Sequence, residues 1–290
     1  MTETGKDEAG GKEFRRVAEE LRVRMADGVY PLDSYLPVQS ALATEFGVSR
    51  NTVQRVIEEL RSEGWIESRQ GKGSRVIKNQ RVQSWSTRAS RSRQALTLGP
   101  LIGEAFEQPE VTLDVYTLTS ESLDAHIRLQ SERIRAKNIA PQRIALRVLL
   151  PTESMTLPYP RAKDDKDDSR LQDRLHHITK RHTESLREVL TALEAENLVS
   201  SVELEIRHAP LTPTFKLYVI NGGEVLHGAY TVIERAVVLD DGDKITALDV
   251  LGYGATLTHH VKDADPTSPG SVFVEGMTTW FESVWTRLTE

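Results

Sequence analysis

The chain has 290 residues, a formal net charge of −6 and no cysteine. Its length suits two domains of roughly 100–200 residues each. The absence of thiols excludes disulfides, thiolate metal sites and cysteine nucleophiles, and it fits a reducing compartment. No apolar run approaches the roughly 18 residues of a membrane span, so a cytoplasmic protein is expected, with no membrane partner.

The charge is uneven. Residues 1–95 hold 17 Lys and Arg against 13 Asp and Glu, and the rest hold 20 against 30. An acidic surface repels nucleic acid, so any DNA contact must come from a local patch near the N-terminus.

Residues 1–11 read as a polar, Gly-rich tail without a secretory h-region. A first helix follows, with Phe14, Val17, Ala18, Leu21 and Met25 at helical spacing up to Gly28. Residues 30–37 are turn-rich, and Pro37 suits the first turn of a second helix carrying Ala41, Leu42 and Phe46 and stopping at Gly47. A third helix runs from Ser49 to Gly64. Ser49 is an N-cap type, Gly64 a C′ type, and Val53, Val56, Ile57 and Leu60 make one apolar stripe. Arg50, Asn51, Gln54 and Arg55 lie off that stripe and are side chains that reach base edges and phosphates. Two β-type segments, 65–68 and 75–77, flank a hairpin tip in which Gly71 and Gly73 allow close backbone approach and Lys72 supplies charge.

Leu36-Pro37, Leu42-Ala43, Phe46-Gly47-Val48-Ser49-Arg50-Asn51-Thr52-Val53, Glu63-Gly64-Trp65-Ile66 and Gln70-Gly71-Lys72-Gly73 together resemble the winged helix-turn-helix of the GntR family of bacterial regulators. The resemblance implies an α+β DNA-binding domain over residues 12–78. It also implies DNA contact by Ser49, Arg50, Asn51, Thr52, Gln54, Arg55, Gln70, Gly71, Lys72 and Gly73. Two positions depart from the family: Gln54, where Arg is common, and Gln39-Ser40, where a Glu-Arg pair is common. Double-stranded operator DNA is the implied partner. A two-fold homodimer would read half-sites about 10 bp apart, or multiples of that.

Residues 79–98, rich in Ser, Arg and Gln, read as a linker. Residues 99–290 alternate strand and helix: strands near 111–118, 143–150, 202–207, 214–220, 224–234 and 245–250, and helices at 123–134, 171–193 and 273–288. That pattern predicts an α/β domain, a sheet flanked by helices. The last helix, with Trp280, Phe281 and Trp285, suits either a dimer surface or its own domain's core.

The segment 214–232 resembles the phospholipase D signature of His-x-Lys, four residues, Asp, six residues, Gly-Ser, two residues and Asn. Thr214 stands for the His, Lys216 for the Lys, Asn221 for the Asp, Gly228-Ala229 for Gly-Ser and Val232 for the Asn. The resemblance implies a phospholipase D-like fold without a nucleophile, hence no catalytic residues. The competing reading is a plain hairpin around Asn221-Gly222-Gly223. Lys216, Asn221 and Tyr253, the last in a Gly-Tyr-Gly turn after a strand, are the candidate effector pocket. His176, His177 and His182 lack the four-residue spacing of a helical zinc site, and His259-His260 with Asp263 and Asp265 lacks a third placed ligand, so no metal or cofactor is expected.

The function expected is a transcription regulator, a repressor whose operator affinity responds to a small molecule. The alternatives are a phosphodiesterase or nuclease tethered to DNA, and an architectural DNA-binding protein without a ligand.

Overall fold

The computed structural model describes residues 13–289, apart from 15, 19, 23, 26–28, 31–33, 63–64, 70–72, 77–80, 85–95, 240–242 and 251–256. The chain divides into two compact units, residues up to 79 with 237–245, and residues 80–236 with 246–290.

In the N-terminal unit the described residues of 13–25 are helical (α1). Helix α2 spans Gln39–Phe46 and α3 spans Arg50–Ser62. Gly47 closes α2 at φ 65°, a left-handed conformation that an L side chain resists. The apolar positions of all three helices converge: Val17, Leu21, Met25, Leu42, Phe46, Val53, Val56, Ile57 and Leu60 are buried. Strands β1 (Ile66–Arg69) and β2 (Gly73–Val76) pair antiparallel, with Ile66 opposite Val76 and Arg69 opposite Gly73. The turn-rich stretch before α2 has a second role. Tyr35 bridges to Arg75, Leu36 N–H donates to Ser74 O at 2.8 Å, and Val76 N–H donates to Ser34 O at 2.8 Å. A third short extended segment thus backs the wing. Pro37 lies before the helix proper, which begins at Gln39 with Val38 as its N-cap.

The C-terminal unit is built on an eight-stranded mixed sheet. Its strands are β3 (Arg81–Ser84), β4 (Leu96–Thr97), β5 (Glu110–Tyr116), β6 (Arg143–Pro151), β8 (Ser201–Ala209), β9 (Phe215–Ile220), β10 (Glu224–Ala229) and β13 (Leu257–Val261), in the order β4-β3-β13-β10-β9-β5-β6-β8. β5, β6 and β8 run parallel, and β9, β10 and β13 alternate antiparallel beside them. A second sheet orders β11 (Val232–Val238), β12 (Lys244–Val250) and β7 (Arg161–Ala162).

Helices α4 (Leu98–Phe106), α5 (Glu121–Arg135) and α6 (Arg170–Ala195) cover one face of the large sheet. Their Leu101, Phe106, Leu123, Ile127, Leu186 and Leu190 meet Leu113, Val115, Leu146, Val148, Tyr218 and Ile220. Helix α7 (Pro269–Arg287) covers the other face, capped by Ser268, whose Oγ accepts from Ser271 N–H at 3.1 Å. Its Phe281, Val284 and Trp285 meet Leu149, Ala209, Leu217 and Val219. The aromatic stripe of the last helix is therefore a core face of its own domain. Arg147 seals this layer. It binds Asp114 at 2.6 and 2.7 Å and Glu282 alongside, with its guanidinium over the rings of Phe281 and Trp285 at 5.2 and 5.3 Å.

Three sequence readings change here. Residues 79–98, expected as a linker, contribute β3 and β4; β3 pairs in parallel with β13 from near the end of the chain, a partner no local pattern reveals. The strand expected at 224–234 is two strands in different sheets. Tyr230 breaks it by turning inward, its hydroxyl bonded to Thr117 Oγ1 at 3.1 Å and accepting from Leu118 N–H at 3.0 Å. Strand β13 was not expected, because Thr258-His259-His260 masks its alternation. Phe281→Ala should destabilise the C-terminal domain by about 3–5 kcal/mol, through lost burial and a cavity, read as a lower urea midpoint; a shift below about 1 kcal/mol would mean that the helix face is not core.

Candidate nucleic-acid interface and polar cluster

The start of α3 is fixed by its own sequence. Thr52 N–H donates to Ser49 Oγ at 3.1 Å, and the two hydroxyls meet at 2.9 Å. Val53 N–H donates to Ser49 O at 3.1 Å, the first bond of the helix. With the apolar stripe turned into the core, Arg50, Asn51, Gln54, Arg55 and Glu58 are exposed. At 100° per residue they span an arc of about 140°. Gln54 Nε2 donates to Glu58 Oε1 at 3.1 Å, and the Arg55 guanidinium lies 5.1 Å over the Phe14 ring. Arg55 is thus braced by α1, while Arg50 and Asn51 stand at the helix start.

Thr52 belongs elsewhere. It is buried, with its hydroxyl engaged by Ser49, so it shapes the cap and is not presented to DNA. The spacing placed it at the polar end of the helix, and the cap turned it inward. At the wing, Gly73 begins β2 at φ 88°, and the Ser68 and Ser74 hydroxyls bond at 2.9 Å across the strands. Gln70, Gly71 and Lys72 lie outside the described residues, as does Tyr253.

In the C-terminal domain Lys216 and Asn221 sit at opposite ends of β9, about 16 Å apart at roughly 3.3 Å per residue. Asn221 and Gly222 take φ 48° and 62° in the three-residue connection between Ile220 and Glu224, as the central residues of the turn that Gly223 N–H closes on Ile220 O. The Asn221 side-chain oxygen accepts from Thr112 N–H at 2.8 Å, and its own N–H donates to Thr112 O at 2.9 Å. Asn221 is a turn residue tied to β5, so the expected grouping of Lys216 with Asn221 in one pocket does not form. Thr214 is exposed, at the Lys216 end of the strand. Of the positions standing for the phospholipase D signature, Thr214, Lys216, Gly228 and Ala229 lie at one end of the β9–β10 pair, with Gly228 opposite Lys216 and Ala229 opposite Phe215, and Asn221 lies at the hairpin end.

Lys216 has different company. It is 4% exposed, and its Nζ donates to Ser122 Oγ at 3.2 Å and lies 5.8 Å from the centre of the Tyr230 ring. Ser122 also bonds the Tyr218 hydroxyl, and burial pushes that phenol up. His126, one helical turn past Ser122 and 1% exposed, is pushed down to about 3 by burial and by the Lys216 charge. Ser120, at the N-cap of α5, is buried, and no group bonds its hydroxyl among the described residues. These side chains collect where β5 ends and α5 begins, the strand-end position at which α/β sheets hold ligands. Ser122, His126 and Gln130 recur every four residues in the sequence, a signal open to reading as a solvated helix face; the structure buries all three.

A second buried group joins α5 to α6. Asp124 accepts from Ser185 Oγ and lies 2.8 Å from His182 Nδ1 and 3.4 Å from Arg128 Nε. Serine and histidine both bind the carboxylate, so no base addresses the serine hydroxyl, and the group braces the helices without activating a nucleophile. His259 and His260 point to opposite faces of β13, one 2.7 Å from Glu224 and the other stacked on Phe273 at 3.9 Å.

Residues 14–76 match the model of bacterial regulatory proteins of the gntR family. The N-terminal domain is a GntR-family winged helix-turn-helix. A similar protein is the uncharacterized HTH-type transcriptional regulator RB1450 of Rhizobium meliloti, 34% identical over 83 residues, which are 29% of this chain and 34% of that protein. Another is the mannosyl-D-glycerate transport/metabolism system repressor MngR of Escherichia coli, 42% identical over 69 residues, 24% of this chain and 28% of the other. The HTH-type regulator YdfD of Bacillus subtilis is 32% identical over 123 residues, 39% of this chain and 25% of the other. The chain thus spans between a quarter and about a third of the length of these curated relatives. A crystal structure of mutant ORR3 in complex with the NTD of AraR aligns with 22% of this chain and 93% of its own at 34% identity, with a TM-score of 0.22.

Two outcomes follow. Ser49→Ala should cost the GntR-type domain about 1 kcal/mol, the usual value of a lost cap, read by thermal unfolding; no change would remove the cap from the account. His126 takes its proton more readily in the unfolded chain, ordinarily near pH 6.5, than in the fold, near 3. Its contribution to stability is therefore complete above pH 6.5 and is lost as the pH falls toward 3. Between pH 6.5 and 5 this single proton steepens the loss by up to about 1.4 kcal/mol per pH unit. His126→Gln should flatten that slope in urea titrations, and identical slopes in both proteins would contradict it.

Proposed function

We propose that the chain is a GntR-type transcriptional repressor that acts in the cytoplasm as a homodimer. Residues 12–78 read double-stranded operator DNA. Residues beyond them dimerise and take a small polar effector at the cluster of Lys216, Ser122, Ser120 and His126. The observation that carries the DNA reading is the exposed arc of Arg50, Asn51, Gln54 and Arg55 on a capped helix whose opposite side is core, inside a domain that matches the gntR model. The mild charge of this arc, with Glu58 on it and Gln54 bonded to that glutamate, favours reading by base contacts over a strong phosphate grip.

Arg50 and Asn51 supply donors for guanine and adenine edges. An effector acts only as far as it binds two arrangements of the dimer with different affinity. The polar cluster at the end of β5 supports such a site because a ligand there would touch β9, α5 and the β5–α5 turn together. Thr214, standing where the signature has its histidine nucleophile, argues against the tethered-phosphodiesterase reading.

The test is selection of bound sequences from a randomised duplex library, followed by titration of the enriched site with fluorescence anisotropy. Arg50→Ala should weaken binding by about 1–3 kcal/mol and relax preference at one base position. Wild-type protein that enriches no sequence, or a variant with undiminished affinity, would refute the assignment.

A further inference from the structure

The parallel end of the large sheet is open. β8 is its last strand, nine residues long, and among the described residues no strand pairs with its outer edge. Such an edge presents a row of backbone donors and acceptors to any chain of matching direction. Beside it, α6 and β8 frame a groove of about 280 Å³ lined by Arg187, Leu190, Thr191, Glu194, Val202 and Leu204. Val202, Leu204 and Ile206 are only half-buried on this side. The opposite side of the strand carries Glu203 and Glu205, both exposed, and Arg207. Arg207 holds Glu205 at 2.9 Å and stacks 4.3 Å over Trp285.

We infer that β8 is the dimer interface, pairing antiparallel with β8 of a second copy about a two-fold axis at Ile206. The sequence of the strand selects this occupant. An axis at Ile206 sets Arg207 opposite the other copy's Glu205. This centring makes two identical cross-strand ion pairs, the self-complementary pattern that an isologous contact demands. Leu190, Val202 and Leu204 line the groove beside this edge and supply an apolar flank. This inference rests on the proposed homodimer and adds the surface through which it forms.

Sedimentation velocity of the full chain across a thousandfold concentration range tests it. Arg207→Glu and Glu205→Arg each replace an opposite-charge pair by like charges, and Glu205 is exposed and outside the core. Each single change should raise the dimer dissociation constant at least tenfold. The double change Glu205→Arg/Arg207→Glu re-forms the same pairs with inverted sign and should return within about threefold of wild type. Circular dichroism melts of all four proteins confirm that the fold is kept. A wild-type chain that is monomeric throughout overturns both the dimer and this surface, leaving the edge to a strand from a different protein. A dimer indifferent to the single changes, or one that the double change fails to restore, overturns the β8 interface alone.

Discussion

The C-terminal domain depends on one constraint: β5, β6 and β9 are covered on both faces. Helices α4, α5 and α6 lie on one side and α7 on the other, so a polar group between the layers keeps its place only with a bonding partner or a changed proton affinity. Arg147 answers on the α7 side with two carboxylates and two aromatic rings. Lys216 answers on the α5 side through Ser122, and its charge with burial keeps His126 neutral. The same enclosure turns the loop after β5 inward, where Tyr230 holds Thr117 and Leu118. Stability and the candidate effector site therefore share residues, which is how a ligand there could act on the frame of the domain.

The N-terminal domain solves the opposite problem, since its working face must stay wet. Core contacts at Val53, Val56, Ile57 and Leu60 fix the rotation of α3, and the Ser49 cap fixes where it starts. Rotation and start together decide which polar residues face outward. Thr52 is one residue from Asn51, yet the cap draws it in. Arg55 remains outside but is steadied by Phe14 of α1.

The segment spaced like the phospholipase D signature keeps Thr214, Lys216 and Gly228 at one end of the β9–β10 pair and Asn221 at the other. Residues three or four apart on a helix share a face; residues five apart on a strand are about 16 Å apart. Lys216 and Asn221 lie along β9 and face different surroundings, one an interior cluster and the other a hairpin turn bonded to Thr112.

The sequence by itself determined the elements whose signals are local. The Ser49 cap, the Gly47 stop, the apolar stripe of α3 and the Asn221-Gly222 turn are set by residues within a few positions of one another, and each appears where the spacing places it. The gntR model, over residues 14–76, takes in the first three of these and not the Asn221-Gly222 turn. Only the tertiary structure decided the rest, because the partners are distant along the chain. It brought β3 beside β13, buried the Ser122-His126-Gln130 stripe and gave the aromatic face of α7 to its own sheet. Burial of a polar stripe and pairing of remote strands are properties of what a segment meets, and a periodic pattern records only that a face exists.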